Sequence, residues 1–310
     1  MKLISIVTPT FNEQDNVNDV YDRVKEIFSN LTEYRYEHIF IDNASSDNTV
    51  QILRGICNVD KNVKVIVNAR NFGPVRSPFY GNLQAKGDAV IHLVADLQDP
   101  PELIVEFLEK WEEGFRIVVG IKAESKESRI MFSIRQTYYR FISNIADIVL
   151  IKSFTGFGLY DKSIIDIMRT IEDPYPYFRG LISEIGFEVA RIPYVQPVRK
   201  KGVTTTNFYS LYDQAMLGIT THSKLPIRLA TMAGFSLALL SLIVALIYTV
   251  VKLFLWDEFP IGIAPVVIGL FLFSSVQLFF IGLIGEYISA IHVQVKHRPL
   301  VIEKERINFN

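Results

Sequence analysis

Cysteine is almost missing: Cys57 stands alone in a chain of 310 residues. One thiol cannot close an intramolecular disulfide, and such usage suits a reducing compartment. Cys57 reads as a small buried apolar group rather than a nucleophile. No Cys/His cluster has zinc spacing, no Ser-His-Asp arrangement is suggested, and neither a Walker loop nor G-x-G-x-x-G is present. Those gaps remove the common nucleotide-hydrolysing and dinucleotide-binding readings. An excess of either charge is missing too, with 32 Lys plus Arg against 33 Asp plus Glu. Net charge therefore gives no reason to expect a nucleic-acid partner. No targeting sequence is expected at the N-terminus.

Charge is absent locally in two places. Residues 229–251 and 260–285 carry no charged side chain. Each run exceeds the roughly 20 residues a helix needs to cross a bilayer. Both lie far from the N-terminus, so neither is a signal peptide. Lys224 and Arg228 precede the first run; Lys296, His297, Arg298, Lys304 and Arg306 follow the second. The short connection holds Asp257 and Glu258, with Lys252 near it. The positive-inside rule then places both chain ends in the cytoplasm. The expected organisation is a cytoplasmic domain over 1–205, amphipathic interfacial helices over 206–227, two transmembrane helices within 228–291 (229–255 and 260–285), and a cytoplasmic tail over 292–310.

What is present upstream is a repeating pattern. Short apolar runs at 1–9, 38–42, 63–67 and 89–95 read as buried strands. Helical periodicity separates them, as in Val17, Val20, Val24, Ile27 and Phe28. Strands alternating with helices argue for a mainly parallel α/β sheet. Further elements are a helix at 103–111, a strand at 117–120, a helical stretch at 130–151 and a late strand at 188–193. The run SFTGFGLYD holds two glycines in a strand-like setting, which predicts a bulge or a close backbone approach.

Polar residues follow each of the first four strands, at the edge where open α/β sheets bind ligands. The fourth strand runs into Val94-Ala95-Asp96-Leu97-Gln98-Asp99-Pro100-Pro101. Two carboxylates and a carboxamide suit Mg²⁺ or Mn²⁺, with phosphates supplying the remaining ligands. A metal on a diphosphate neutralises its charge and improves it as a leaving group. Asp42 can accept hydrogen bonds from a ribose or base, and Arg70 can meet a phosphate bidentately. Each has a blander reading: Asp42 or Asp47 as a helix cap, Asn71 and Gly73 as turn residues, 199–201 as a solvated charge run.

These stretches together resemble a family. IVTPTFNEQDN, IDNASSDNT, NARNFG, ADLQDPPELI, RKKGVTTTNF and IGEYISAIHVQVKHRP are similar, in order and spacing, to the polyprenyl-phosphate glycosyltransferases of glycosyltransferase family 2. Those are the relatives of dolichyl-phosphate mannose synthase with two C-terminal spans. The resemblance implies a GT-A fold and inverting transfer of one sugar from a nucleotide-diphosphate sugar, a UDP-sugar by weak analogy, to a polyprenyl phosphate. It implies a membrane-embedded homo-oligomer, often a tetramer, in the inner membrane. Pro9, Glu13, Asp42, Arg70, Asn71 and Arg199 would hold the donor. Asp96 and Gln98, with Asp99, would bind the metal. Lys122, Arg129 or Arg135 would hold the acceptor phosphate.

The chain departs from the family pattern at Val94, where most relatives carry the first Asp of Asp-x-Asp. SFTGFG holds no acidic residue, Lys122 stands for a common arginine, Thr205 for a lysine, and Pro74 for the lysine that usually follows NARNFG. Val94 motivates a second reading, a catalytically impaired relative that binds nucleotide or lipid as a membrane scaffold. A processive polysaccharide synthase is disfavoured, since a Gln-x-x-Arg-Trp motif is not seen and the spans are too few.

Overall fold

Four parallel strands set the frame. β1 (Lys2–Thr10), β2 (Tyr34–Asp42), β3 (Val63–Asn68) and β4 (Ala89–His92) lie in the order β4-β1-β2-β3. The computed structural model describes residues 1–124, 151–197, 216, 225–254, 263–296 and 298–309. Arg129, Arg135, Arg199 and Thr205, the helical stretch expected over 130–151 and nearly all of the expected interfacial helix lie outside those residues.

Side chains alternate across the sheet with period two, as pleated strands require. Ile4, Ile6, Phe40, Val63 and Val65 face one core, while Val7, Ile39, Ile41 and Ile66 face the other. Helices α1 (Val17–Asn30), α2 (Thr49–Val59) and α4 (Ile104–Glu112) cover the first face. α3 (Gly73–Gln84), α5 (Lys162–Thr170) and α6 (Phe178–Ile185) cover the second. In α1 the buried residues are Val17, Val20, Val24 and Phe28, the expected stripe. Phe40, Phe79, Phe107, Phe154 and Phe157 are fully buried, each stabilising the fold by about 1.5–3 kcal/mol in transfer terms.

The sheet is mixed: six of its eight described strands run in one direction and two run against them. Eight strands of the described residues follow the order β7-β5-β6-β4-β1-β2-β3-β8, where β5 is Ile117–Glu124, β6 Phe154–Asp161, β7 Val189–Val195 and β8 Glu303–Ile307. β6 runs antiparallel to both β4 and β5. An antiparallel strand needs no right-handed crossover of the kind that joins parallel neighbours. The glycines of β6 behave as expected. Gly156 has φ +110°, and a Cβ on Gly158 would lie 2.4 Å from the Val118 carbonyl oxygen. The β5/β6 register shifts between Val119 and Ile121.

β8 comes from the stretch read as a tail. It lies antiparallel to β3, with Val65 opposite Ile307. Arg54 grips Glu305 with both guanidinium nitrogens. Tyr80 donates to Glu303 at 2.8 Å, and the Asn308 amide donates to the Cys57 and Val63 carbonyls. Its sequence, EKERI, is charged at four of its five positions, which is how edge strands deter further pairing.

Between the sheet domain and β8 lie α7 (Leu225–Phe254) and α8 (Ile263–Val295). Among the described residues, Leu272–Val295 is long and apolar enough to cross a membrane, with mean hydropathy 1.6. α8 thus continues ten residues past the run expected at 260–285, and Glu286 lies inside the helix.

Candidate active site

The strand order reverses between β1 and β4, because α1 and α3 pack on opposite faces. Such a switch point opens a crevice at the carboxyl ends of the strands. A cleft of about 600 Å³ lies there. Its first wall is built by two loops fastened together. The Asn12 N–H donates to Ser45 Oγ at 2.9 Å, and the Ser46 N–H donates to Asn12 Oδ1 at 2.8 Å. Glu13 N–H donates to Thr49 Oγ1, and Gln14 N–H to Asp47. Asp47 also accepts from the Thr49 N–H at 3.0 Å, at the start of α2, where the N-cap position itself is Asn48. Pro9, Thr10, Phe11 and Glu13 face the cleft.

Asp42 is fully buried and does not line the cleft. Its carboxylate accepts from the Ser45 N–H, the Ser45 hydroxyl and the Thr10 hydroxyl. Burial raises its pKa, while those hydrogen bonds oppose the rise. Asn43, next in sequence, does the joining. Its amide donates to Asn71 Oδ1 at 2.8 Å, and its carbonyl accepts from the Phe72 N–H at 2.8 Å. That places Asn71 and Gly73 on the cleft.

β4 stops at His92, three residues earlier than its apolar run suggests. Leu97 then takes φ +56°, and Asp96 Oδ1 accepts the Gln98 N–H at 3.1 Å. A non-glycine residue in that left-handed region marks a constrained turn. The turn holds Asp96 and Gln98 on the cleft wall beside Val94 and Ala95. Asp99 faces elsewhere: it is 3% exposed, outside the lining, and accepts from the Tyr194 hydroxyl at 2.5 Å. Burial pushes its carboxyl up to about 6. Lys122 pairs with Tyr194 in register and favours the ionised form of Asp99.

The opposite wall comes from β6 and the start of α6: Thr155, Gly156, Tyr177, Phe178 and Arg179. At the floor, His92 Nδ1 lies 3.3 Å from Asn82 Oδ1. An amide oxygen only accepts, so the proton sits on Nδ1. Burial lowers the His92 pKa to about 4, which keeps the ring neutral near pH 7.

Five expected site residues thus meet in one cleft: Pro9, Glu13, Asn71, Asp96 and Gln98. Asp42, Asp99 and Lys122 stand behind it. Arg70 lies outside the lining, its guanidinium 4.1 Å from the Phe72 ring centre. Asn43, Asn82, His92 and Arg179 went unremarked in the sequence. Asn43 had a signal, since it directly follows Asp42 at a strand end; the other three are brought in from other elements by packing alone.

The donor set fits a hard divalent cation only in part. Among the described residues no three His, Cys, Asp or Glu side chains converge. One carboxylate and one carboxamide suit Mg²⁺ or Mn²⁺ when a diphosphate and water complete the shell. A mixed sheet with a cleft at its switch point, lined by one carboxylate and, from the opposite wall, an arginine, is an arrangement that suits a phosphate-bearing ligand. The family model for glycosyl transferase family 2 matches residues 5–166. The chain is 36% identical to an uncharacterized glycosyltransferase, YkcC, of Bacillus subtilis, over 96% of this chain and 92% of that protein. It is 30% identical to a bactoprenol glucosyl transferase of Shigella phage SfV, over 97% of this chain and 98% of that one. A prophage bactoprenol glucosyl transferase homolog of Escherichia coli K12 is 28% identical over 97% and 98%. The chain belongs to glycosyltransferase family 2 and is a glycosyltransferase with a GT-A-type fold.

Proposed function

We propose that the protein transfers a single sugar from a nucleotide-diphosphate sugar, a UDP-sugar by preference, to a polyprenyl phosphate at a membrane. Asp96 in the switch-point cleft carries this reading, since a cleft carboxylate has a direct use at a metal-bridged diphosphate. Bactoprenol-acting relatives matched over nearly the whole chain support the acceptor class. Pro9, Glu13 and Asn71 hold the nucleoside side, and Asp42 acts behind them by fixing Ser45 and Thr10. Asp96 and Gln98 hold Mg²⁺ or Mn²⁺, which when bound supplies charge neutralisation of the leaving diphosphate. Arg179 faces the same cleft and adds positive charge where the leaving group gathers it.

The lipid phosphate is already ionised near neutral pH, so no general base is needed. One of its oxygens bonds to the anomeric carbon as the bond from that carbon to the diphosphate oxygen breaks. The electron pair leaves with the nucleoside diphosphate, and the anomeric centre inverts. Cations aligning the acceptor matter more than proton transfer; we assign Lys122, Arg129 and Arg135 to that role, and Arg199 to closure over the donor. Two spans, 229–255 and 260–285, keep both chain ends and the cleft on the cytoplasmic side of the inner membrane.

Val94 supports the second reading, a scaffold that binds without turning over. Incubating the purified full chain with a panel of nucleotide sugars, Mg²⁺ or Mn²⁺ and polyprenyl phosphate separates the two. Lipid-linked sugar is the expected product. None with any donor, while UDP still binds, overturns the transfer reading.

A further inference from the structure

Three arginines gather at the rim of the cleft where α8 rejoins the sheet domain. Arg70 and Arg76 both lie against the Phe72 ring, their guanidinium carbons 4.1 Å and 5.4 Å from its centre. Arg76 Nη2 donates to the carbonyl of Pro299, and Arg298, the preceding residue, is near enough for its charge to be felt at Arg76. Like charges brought together cost energy unless an anion joins them. Among the described residues none of the three forms an ion pair with a carboxylate. Arg70 has the Asn71 carbonyl at 3.0 Å as its hydrogen-bond acceptor. Arg76 Nε is buried with no acceptor at all. Burial, and then the charges of Arg70 and Arg298, lower the Arg76 pKa, with Tyr175 opposing them. Salt bridges elsewhere in the chain are made readily, as with Arg306 and Glu303, so the omission is local.

We propose that Arg70, Arg76 and Arg298 form a binding site for the phosphate of a membrane-lipid headgroup. Guanidinium groups match phosphate geometry, and the buried Nε supplies a donor that otherwise goes unmet. The lipid source follows from position. Arg298 lies three residues past Val295, where the apolar stretch Leu272–Val295 ends, and three residues span at most about 10 Å. Pro74 and Val75, which line the cleft, sit between Arg70 and Arg76. A headgroup held there sets the cleft mouth against the membrane surface. This rests on the reading that α8 spans a membrane, and it adds a lipid contact apart from the donor site.

The test uses the full chain in neutral detergent. Native mass spectrometry reads retention of phosphatidylglycerol against phosphatidylcholine, and calorimetry reads UDP binding with Mn²⁺. Wild type should retain phosphatidylglycerol preferentially, and Arg76→Gln and Arg298→Gln should each weaken that by about fivefold. UDP affinity should not change in either variant, and millimolar inorganic phosphate should not displace the lipid. The second variant, Arg298→Gln, keeps the test valid if Arg76→Gln fails to fold. Unchanged lipid preference in Arg298→Gln overturns the proposal. So does loss of UDP binding with lipid retention intact, which would give the cluster to the donor. Failure of wild type to bind UDP, with arginine-dependent lipid retention preserved, would sink the donor reading and leave this site standing.

Discussion

The Tyr194 hydroxyl donates to Asp99 Oδ1 at 2.5 Å, and both side chains are buried. The bond spans from β7 to the loop after β4. It turns the second carboxylate of the motif away from the cleft, where Asp96 remains. Thr155, on the cleft wall, is a further hydrogen-bonding neighbour of Tyr194. The pair therefore braces two walls from behind.

Tyr194→Phe leaves the buried Asp99 without its donor. The expected cost is about 1–3 kcal/mol of stability, read by chemical or thermal denaturation. UDP–Mn²⁺ affinity should change little, because Asp99 does not line the cleft. A loss of metal-dependent affinity as large as that of Asp96→Asn would show that Asp99 is a ligand after all.

Asp96→Asn keeps the size of the side chain and removes the charge. Its turn to Gln98 survives, since an amide oxygen also accepts. Metal-dependent UDP binding and sugar transfer should fall by about 100-fold or more, the upper end of what losing even an outer ligand partner costs. Calorimetry with and without Mn²⁺ checks the binding half. Wild-type turnover in the presence of metal would refute the site.

Gly158→Ala places a methyl group 2.4 Å from the Val118 carbonyl oxygen. The obstruction is backbone in a paired strand, so it cannot rotate away. A loss of about 1–3 kcal/mol is expected, seen as a lower denaturation midpoint. A midpoint equal to wild type would mean β5 and β6 sit further apart than described.

Acid should destabilise the protein earlier than its carboxylates alone would. Burial lowers His38 to about 3 and His92 to about 4. Their unfolded values lie near 6.5, so below that pH the unfolded chain takes up more protons and stability falls. Asp99, raised to about 6, acts in the opposite sense, but only from pH 6 downward. The melting temperature should begin to drop near pH 6.5. A flat profile to pH 4.5 would contradict burial of the two rings.

Much of this was legible in the residues themselves. Apolar runs marked β1 to β4 because a doubly covered sheet buries both faces, and the polar residues after them marked the cleft. Pro9, Glu13, Asn71, Asp96 and Gln98 met there because each ends or follows a strand at the same edge. The failures also have physical causes. Asp42 and Asp99 share that edge, but hydrogen bonds from Ser45 and Thr10 to the one, and from Tyr194 to the other, turn them inward, which residue type does not reveal. His92 and Asn82 meet across β4 and α3 through tertiary packing. β8 was missed because four of the five residues of EKERI are charged, and its pairing to β3 rests on backbone bonds that any sequence can make.

Removing residues 299–310 should unpair the β3 edge and release the Arg54, Tyr80 and Asn308 contacts. A fall in melting temperature of at least about 5 °C is expected, given roughly 2–4 °C per kcal/mol for a domain of this size. An unchanged melting point would show that β8 adds nothing to the sheet.

β8 also imposes an order on biogenesis. β3 leaves the ribosome early, while its antiparallel neighbour is encoded downstream of α7 and α8. At about 5–20 residues per second, the intervening stretch takes on the order of tens of seconds to make. Throughout that interval the β3 edge is open, and the nascent domain waits on a surface able to pair with other chains. The sheet closes only after both helices have been made, so completion of the domain is timed by synthesis of the helices that precede β8.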